Sequence, residues 1–320
     1  MRLCGRRLAC LLVLLAAAAG CQTARSLLLS VIGVEKKPLA VALVMDVKPE
    51  AALAVLNPFP RYAALQQALA QELGRPVAVD PCFAFQAQRE LETGWYHVAV
   101  VTPVQYARLP EPLTANVLVV PVDAQGRTAR AAVLVVRADS SVRAAADLRG
   151  QSVAFGPEDD SRTHHAALQL LREAGLARTD LALEVLPVPG SLKHLPTAQS
   201  VLQAVIRGSA AAGFVDEAAW EELPDTGGPD EPARDMLRIV GRTAALPDRL
   251  FVASPQLDEA TADAVREALL RVGTQRPDAL SPLGISGYAV PDAELLRACR
   301  ALSGSQPPVQ DAAESRPVEH

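Results

Sequence analysis

Ser161, Arg162 and Thr163 are the residues of this sequence best suited to chemistry. They follow an apolar run, Ser152 to Phe155, and a loop, Gly156 to Asp160. They open a stretch in which Ala167, Leu168 and Leu171 share one helical face. The first turn of a helix presents free backbone N–H groups and the positive end of the helix dipole, so it attracts anions. Two hydroxyls and a guanidinium add further donors. The competing reading makes Asp160 or Ser161 an ordinary N-cap. Asp216 closes a second apolar run, Ala211 to Val215, and Thr102 closes a third, Val98 to Val101. A buried carboxylate alone is costly, so Asp216 needs a ligand cation or an internal donor, or else it caps the helix after it. Thr102, the loop from Gly156 to Thr163, and Asp216 all stand at the carboxyl ends of predicted strands, where open α/β sheets bind ligands.

His164 and His165 raise the question of a metal. Neighbours on a helix point about 100° apart, so the two cannot share one ion without further ligands. His97 and His194 would have to converge on them, and the spacing gives no sign of it, so no metal site is expected. Cofactor and enzyme motifs are missing as well. There is no Gly-x-Ser-x-Gly, no Gly-x-Gly-x-x-Gly and no lysine-bearing phosphate loop, so neither a cofactor nor catalysis is expected. The formal charge of −5, the 4% aromatic content and the lack of a basic tract argue against nucleic acid. An acidic chain can still hold a locally positive pocket.

The elements that must position these residues lie between two unusual ends. Arg2, Arg6 and Arg7 precede an apolar run, Leu8 to Ala19, that is too short to span a bilayer, which needs about 20 residues. That is the form of a secretory signal peptide over residues 1–20. Ala18-Ala19-Gly20-Cys21 resembles the bacterial lipobox, with Ala18 where the pattern prefers Leu, and implies lipidation of Cys21. The other reading is a plain signal peptide cut after an alanine. Residues 21–37 read as a tether, and Gln22 implies an outer-membrane destination in an organism that has one. Residues 303–320 are rich in Pro, Gln, Ser, Asp and Glu and lack the apolar content to offset ordering entropy, so a disordered tail is expected. Removing the three leader arginines takes the charge from −5 to −8. Of the five cysteines, Cys82 and Cys299 remain in the body of the chain, either paired or as two separate buried thiols.

Between these ends short apolar runs alternate with amphipathic stretches. Leu39 to Met45, Val77 to Val79 and Val98 to Val101 read as strands, with helices over Tyr62 to Leu73 and Gln86 to Glu92. Val117 to Val122 and Ala132 to Val136 follow as strands. The pattern then restarts, with strands over Ser152 to Phe155, Leu181 to Leu186 and Ala211 to Val215, a loop over Pro187 to Pro196, and a helix over Val201 to Ile206. Leu237 to Val240 and Leu250 to Ala253 complete the strands. Asp258 caps a helix facing inward through Ala262, Val265, Leu269 and Val272, and a last helix lies near Asp292 to Ala301. The strand–helix–strand order implies α/β architecture with mostly parallel sheets. Tyr106 reads as core or helix cap, and Trp95 and Trp220 as packing residues.

Several runs together resemble the phosphonate-type branch of periplasmic solute-binding proteins, over roughly residues 38–302. They are Pro58-Phe59-Pro60-Arg61-Tyr62, Leu73-Gly74-Arg75-Pro76-Val77, and Gly94 through Ala107. Val135-Val136-Arg137-Ala138-Asp139-Ser140 with Asp147-Leu148-Arg149-Gly150-Gln151-Ser152 is the most specific, and Ala212-Gly213-Phe214-Val215-Asp216 follows in order. The resemblance implies a two-domain type 2 periplasmic-binding-protein fold, each domain a mostly parallel sheet flanked by helices. A two-strand hinge would join domain 1 (38–135 and 240–302) to domain 2 (136–239). It implies a monomer that captures a small anionic solute for an ABC transporter permease from a membrane lipid anchor. Ser161, Arg162, Thr163 and His164 stand where the family carries a Ser-Thr-Ser-Gly signature, so hydroxyls remain at two positions while charge and bulk replace the others. The resemblance gives Asp216 a ligand amine to pair with. The family's pocket tyrosine has no counterpart in Arg127 to Ala132, and its Ser-His pair is split here into Ser191 and His194, leaving Lys193 or His194 to reach an anion or merely to line a solvated loop. The implied site is therefore Ser161, Arg162, Thr163, Thr102, Asp216 and His194. The alternative is a sensor or scaffold that kept the fold and altered the pocket.

Overall fold

The computed structural model describes residues 38–45, 59–185, 189–227 and 232–305. The signal peptide, Cys21, the tether and residues 306–320 lie outside the described residues. In chain order the strands are β1 (Leu39–Met45), β2 (Val77–Phe83), β3 (Val98–Val101) and β4 (Val117–Asp123). Next come β5 (Ala132–Arg137), β6 (Val153–Phe155), β7 (Lys193–His194), β8 (Ala212–Asp216) and β9 (Leu237–Arg242). β10 (Leu250–Ala253) and β11 (Ile285–Ala289) close the series. They form one sheet in the order β11-β4-β10-β3-β1-β2 and another in the order β7-β6-β8-β5-β9.

Both sheets are covered on both faces, which is why their strands read as continuous apolar runs. Side chains alternate across a strand. Leu39, Val41 and Leu43 of β1 pack with Leu65, Leu69, Val265 and Leu269, while Ala42 and Val44 face Leu91, Tyr106 and Cys299 on the other side. In the second sheet Leu134 and Val136 of β5 meet Phe155 and Phe214, and Val133 and Val135 meet Val201 and Val205. Tyr106 is fully buried, its hydroxyl donating to the Thr114 carbonyl at 2.9 Å. Cys82 and Cys299 are buried free thiols, and burial pushes them up to about 11 and about 12. Trp220 packs against the second core, but Trp95, expected to pack, is 70% exposed.

Parallel pairing is confined to β1 with β2 and β3, and to β6 with β7 and β8. The strands by which the chain leaves and re-enters the first sheet pair antiparallel, so both sheets are mixed. Of the expected strand over Leu181 to Leu186, the described residues 181–185 form no strand. Leu181 is anchored in the core and Glu184 makes a single bridge to Ser191, while the prolines that follow have no N–H to extend a ladder. The edge strand β7 instead falls inside the expected loop. β11 escaped the reading because ISGYA is weakly apolar. It packs closely on the helix Glu259–Gln275 because Gly273 there has no side chain, where a Cβ would sit 3.0 Å from Tyr288 N and 3.1 Å from Gly287 Cα. Of the tail expected over residues 303–320, residues 303–305 belong to the 3-10 turn Leu302–Ser305.

The two connections between sheets are zipped together. Arg130 N donates to Leu246 O at 3.0 Å and Leu246 N returns a bond to Arg130 O at 2.9 Å. Ala132 N donates to Thr243 Oγ1 and Thr243 N to Ala132 O, both at 2.9 Å. A close contact of another kind holds the second sheet to its helix Ala198–Ile206. A Cβ on Gly213 would lie 2.5 Å from Val201 Cγ1 and 3.0 Å from Val205 Cγ2. Gly213→Ala should therefore cost about 1–3 kcal/mol. A lowered urea midpoint at unchanged slope is the expected result, and a wild-type midpoint would contradict this packing.

Candidate functional site

β6 ends at Phe155, and the chain turns back through Gly156 to Asp160 and into a helix whose first turn, Ser161–Ala166, is π-helical before Ala167–Glu173 continues as α. Asp160 caps it with one oxygen. Its Oδ1 accepts from Arg162 N at 2.9 Å, Thr163 N at 2.7 Å and Thr163 Oγ1 at 2.9 Å. The donors that recommended this turn as an anion seat are thus taken by a carboxylate of the same chain. Gly156 permits the fit, since a Cβ there would stand 2.1 Å from Thr163 Oγ1.

Ser161 and Thr163 are buried. Ser161 Oγ accepts from Val104 N at 3.3 Å, which joins this turn to the helix Pro103–Arg108 of the first sheet. Thr102 is spent on capping that helix. Its Oγ1 accepts from Gln105 N at 3.2 Å and its N–H donates to Gln105 Oε1 at 2.8 Å. Asp216 likewise caps Glu217–Glu221, accepting from Ala218 N at 3.0 Å. Its other oxygen lies 2.7 Å from Arg162 Nε, close enough for an ion pair but off the line of the N–H. Arg162 also points Nη2 toward Asp248 Oδ1, 3.6 Å away on the return connection.

The structure therefore gathers Ser161, Arg162, Thr163 and Asp216, with Thr102 opposite them through Val104. It adds residues the sequence reading passed over. Arg127 donates through Nε to Asp123 at 3.0 Å and through Nη1 to both oxygens of Glu221 at 2.9 Å. Arg130 stands 3.8 Å from Asp216 and 3.9 Å from Asp123. A cavity of about 220 Å³ lies against Asp123, Arg127, Thr128, Arg130, Arg162 and Asp248, beside the paired connections. The Arg-x-x-Arg spacing just before β5 was the available signal, but a polar connection between strands ordinarily reads as solvated surface.

His194 is not aimed at that cavity. β7 pairs with β6, Phe155 opposite His194, and His194 Nε2 lies 2.9 Å from His164 Nδ1. The two rings and that of His165 cluster beside Phe155. One nitrogen must donate and the other accept, so the two rings cannot both be protonated, and their burial disfavours a charge on either. Burial, with His165, His194 and Arg178 adding to it, pushes His164 down to about 3. Burial lowers His194 too, against a smaller opposing pull from Glu158. His97 stays in the first sheet, its Nδ1 accepting from Ala40 N at 3.0 Å. Among the described residues no three His, Cys, Asp or Glu side chains could hold a metal ion.

The model of the family described as "ABC transporter, phosphonate, periplasmic substrate-binding protein" matches residues 59–296. The chain belongs to this family. It is a family of solute-binding transport proteins, not of enzymes, and its members act outside the cytoplasm. Among solved structures, XAC2383 from Xanthomonas citri bound to ATP is similar at 18% identity and a TM-score of 0.59, over 84% of this chain and 97% of that one. PhnD1 from Prochlorococcus marinus in complex with methylphosphonate is similar at 15% identity and a TM-score of 0.54, with the same coverage. Transferrin 1 from Manduca sexta shares the fold at 13% identity and a TM-score of 0.54, over 88% of this chain and 50% of that one. These likenesses establish the type 2 periplasmic-binding fold. No curated protein matches the sequence. No helix among the described residues of this binding protein is long and apolar enough to cross a membrane.

The buried histidine pair makes this binding protein sensitive to acid. His164 is held near 3 when folded and returns to its ordinary value of about 6.5 when unfolded, so the unfolded chain takes up the proton first. Its contribution is complete above about pH 6.5 and is lost progressively as pH falls toward the folded value. Lowering pH from about 7 to about 5 should cost roughly 2 kcal/mol through His164. Urea midpoints of wild type and His164→Gln at the two pH values should converge in acid. A pH-independent gap would contradict the neutral pair.

Proposed function

We propose that this binding protein captures a small anionic solute, of phosphate or phosphonate type, in the cleft between its two sheets and delivers it to the permease of an ABC importer. In this reading residues 38–135 with 240–302, and residues 136–239, move as two domains about the zipped connections. The chain works as a monomer held to the membrane by lipid on Cys21. The observation that carries the reading is Arg162. Only 11% of its side chain is exposed, and it meets carboxylates on the second sheet and on the return connection, so a ligand that engages it engages both halves. Asp216 holds the guanidinium in place, and Ser161, Thr163, Thr102 and His194 shape the turn that carries it. A ligand that binds the closed arrangement better than the open one drives closure by that difference.

One observation favours a second reading, a sensor or scaffold with an altered pocket. Asp160 places a negative charge on the turn where an anion would otherwise sit. Thermal denaturation of the full-length protein against phosphate, phosphite, phosphonates, sulfonates and organic acids separates the two. A ligand at about 100 times its Kd should stabilise the fold by roughly 2.7 kcal/mol. At least one anion should raise the midpoint saturably, and Arg162→Ala should abolish the rise. If no anion shifts the midpoint, solute capture fails and the sensor or scaffold stands.

A further inference from the structure

The cavity beside the zipped connections is walled by guanidinium groups whose hydrogen bonds are incompletely made. A guanidinium carries five N–H donors. Arg130, with only 23% of its side chain exposed, donates no side-chain hydrogen bond among the described residues, and its carboxylate neighbours stand at 3.8 and 3.9 Å. Arg162 is more buried still and has only a misdirected contact at 2.7 Å and a long one at 3.6 Å. Arg127 spends Nε and Nη1, while its buried Nη2 has no partner. Three side chains thus bring surplus donors to one cavity of about 220 Å³.

The acceptors around them are already engaged. Asp123 takes the N–H groups of Gln125 and Arg127 as well as Arg127 Nε. Asp216 takes Ala218 N, and Glu221 takes Arg127 Nη1. Asp248 alone among these carboxylates makes no hydrogen bond among the described residues. It is 59% exposed, so it can turn away from Arg162 without leaving a buried charge behind. Among the lining residues the three guanidiniums less Asp123 and Asp248 leave one positive charge (3 − 2). With Asp216 and Glu221, which pair with the same guanidiniums from outside the lining, the cluster stands at −1 (3 − 4), so the case for an anion rests on the unused donors and not on net charge. What the cavity lacks is a compact group offering oxygens in several directions.

We infer that Arg127, Arg130 and Arg162 form the anion seat of this protein, and that they take a small oxyanion there in place of the hydroxyl-and-amide turn at Ser161–Thr163. The inference rests on the solute-capture reading and gives it a place. The turn is closed to an oxyanion because Asp160 Oδ1 already accepts its three donors. Arg127 and Arg130 lie on the outgoing connection and Arg162 on the second sheet's helix. An oxyanion held by all three therefore ties the second sheet to the segment about which it would move.

Isothermal titration of the full-length protein with inorganic phosphate, methylphosphonate and methanesulfonate tests this. Arg130→Gln should weaken the best-bound probe about 10- to 100-fold, the value of charge-assisted hydrogen bonds. Its thermal midpoint should stay near that of wild type, because the guanidinium makes no hydrogen bond in the fold. Arg130→Lys, keeping charge without the fork, should recover part of the loss. Asp160→Asn should leave affinity within a few-fold. The seat is wrong if Arg130→Gln binds as wild type does, or if Asp160→Asn tightens binding tenfold or more. In either case the wider reading of solute capture survives. If wild type binds none of the three probes, the seat is overturned, and the broader anion panel decides whether solute capture falls with it.

Discussion

Everything between the two sheets depends on one set of hydrogen bonds, those that zip the outgoing connection to the returning one. Arg130 and Leu246 exchange N–H and C=O, and Thr243 closes the ladder at Ala132 through both its backbone and its hydroxyl. Four bonds between short segments remove most of the ways the second sheet could sit relative to the first. They also decide which side chains meet. Arg127 and Arg130 are delivered by one segment and Asp248 by the other, and both face Arg162 and Asp216 at the carboxyl ends of second-sheet strands. A polar site is affordable at this junction because no strand need pass through it, so it interrupts neither core.

The turn at Ser161 shows how such a site can be redirected with few changes. Helix N-terminal donors are available to whatever negative group reaches them first. Asp160, one residue upstream, reaches them permanently and at short distance. What remains for a solute is guanidinium, which is planar, always charged and multiply donating, and so tolerates a range of oxyanions. On the far side of the same turn the His164–His194 bond fixes the edge strand β7 to the helix. The turn is thus held by a carboxylate in front and a neutral imidazole pair behind, which leaves Arg162 as its adjustable member.

Much of this fold is legible in the sequence, for a definite reason. Strands buried on both faces must be apolar throughout, and Leu39–Met45, Val98–Val101 and Leu250–Ala253 announce themselves to the residue. Caps are equally plain. Asp258 accepts from Thr261 N and Asp292 from Leu295 N, where a short polar side chain precedes an apolar-periodic stretch. β7 and β11 are illegible because one is two residues long at a sheet edge and the other, ISGYA, has too few apolar residues to read as a strand. The site was half legible. Local patterns pointed to Ser161, Arg162, Thr163 and Asp216 and offered Asp160 as a cap, yet could not decide whether that cap or a ligand would take the turn's donors. Nor could they show Arg127 and Arg130, which matter only because the chain folds back at residue 246. Local spacing reports what a residue can offer, and only tertiary contact reports whether the offer is already taken.

The measurement that bears most directly on this account is amide hydrogen exchange, read by mass spectrometry, with and without the oxyanion that most stabilises the protein. Capture at the junction predicts that protection rises together in three segments far apart in sequence, residues 124–131, 160–166 and 243–249. Protection confined to one sheet, or rising at the surface around Trp95 while the junction stays unchanged, would contradict it.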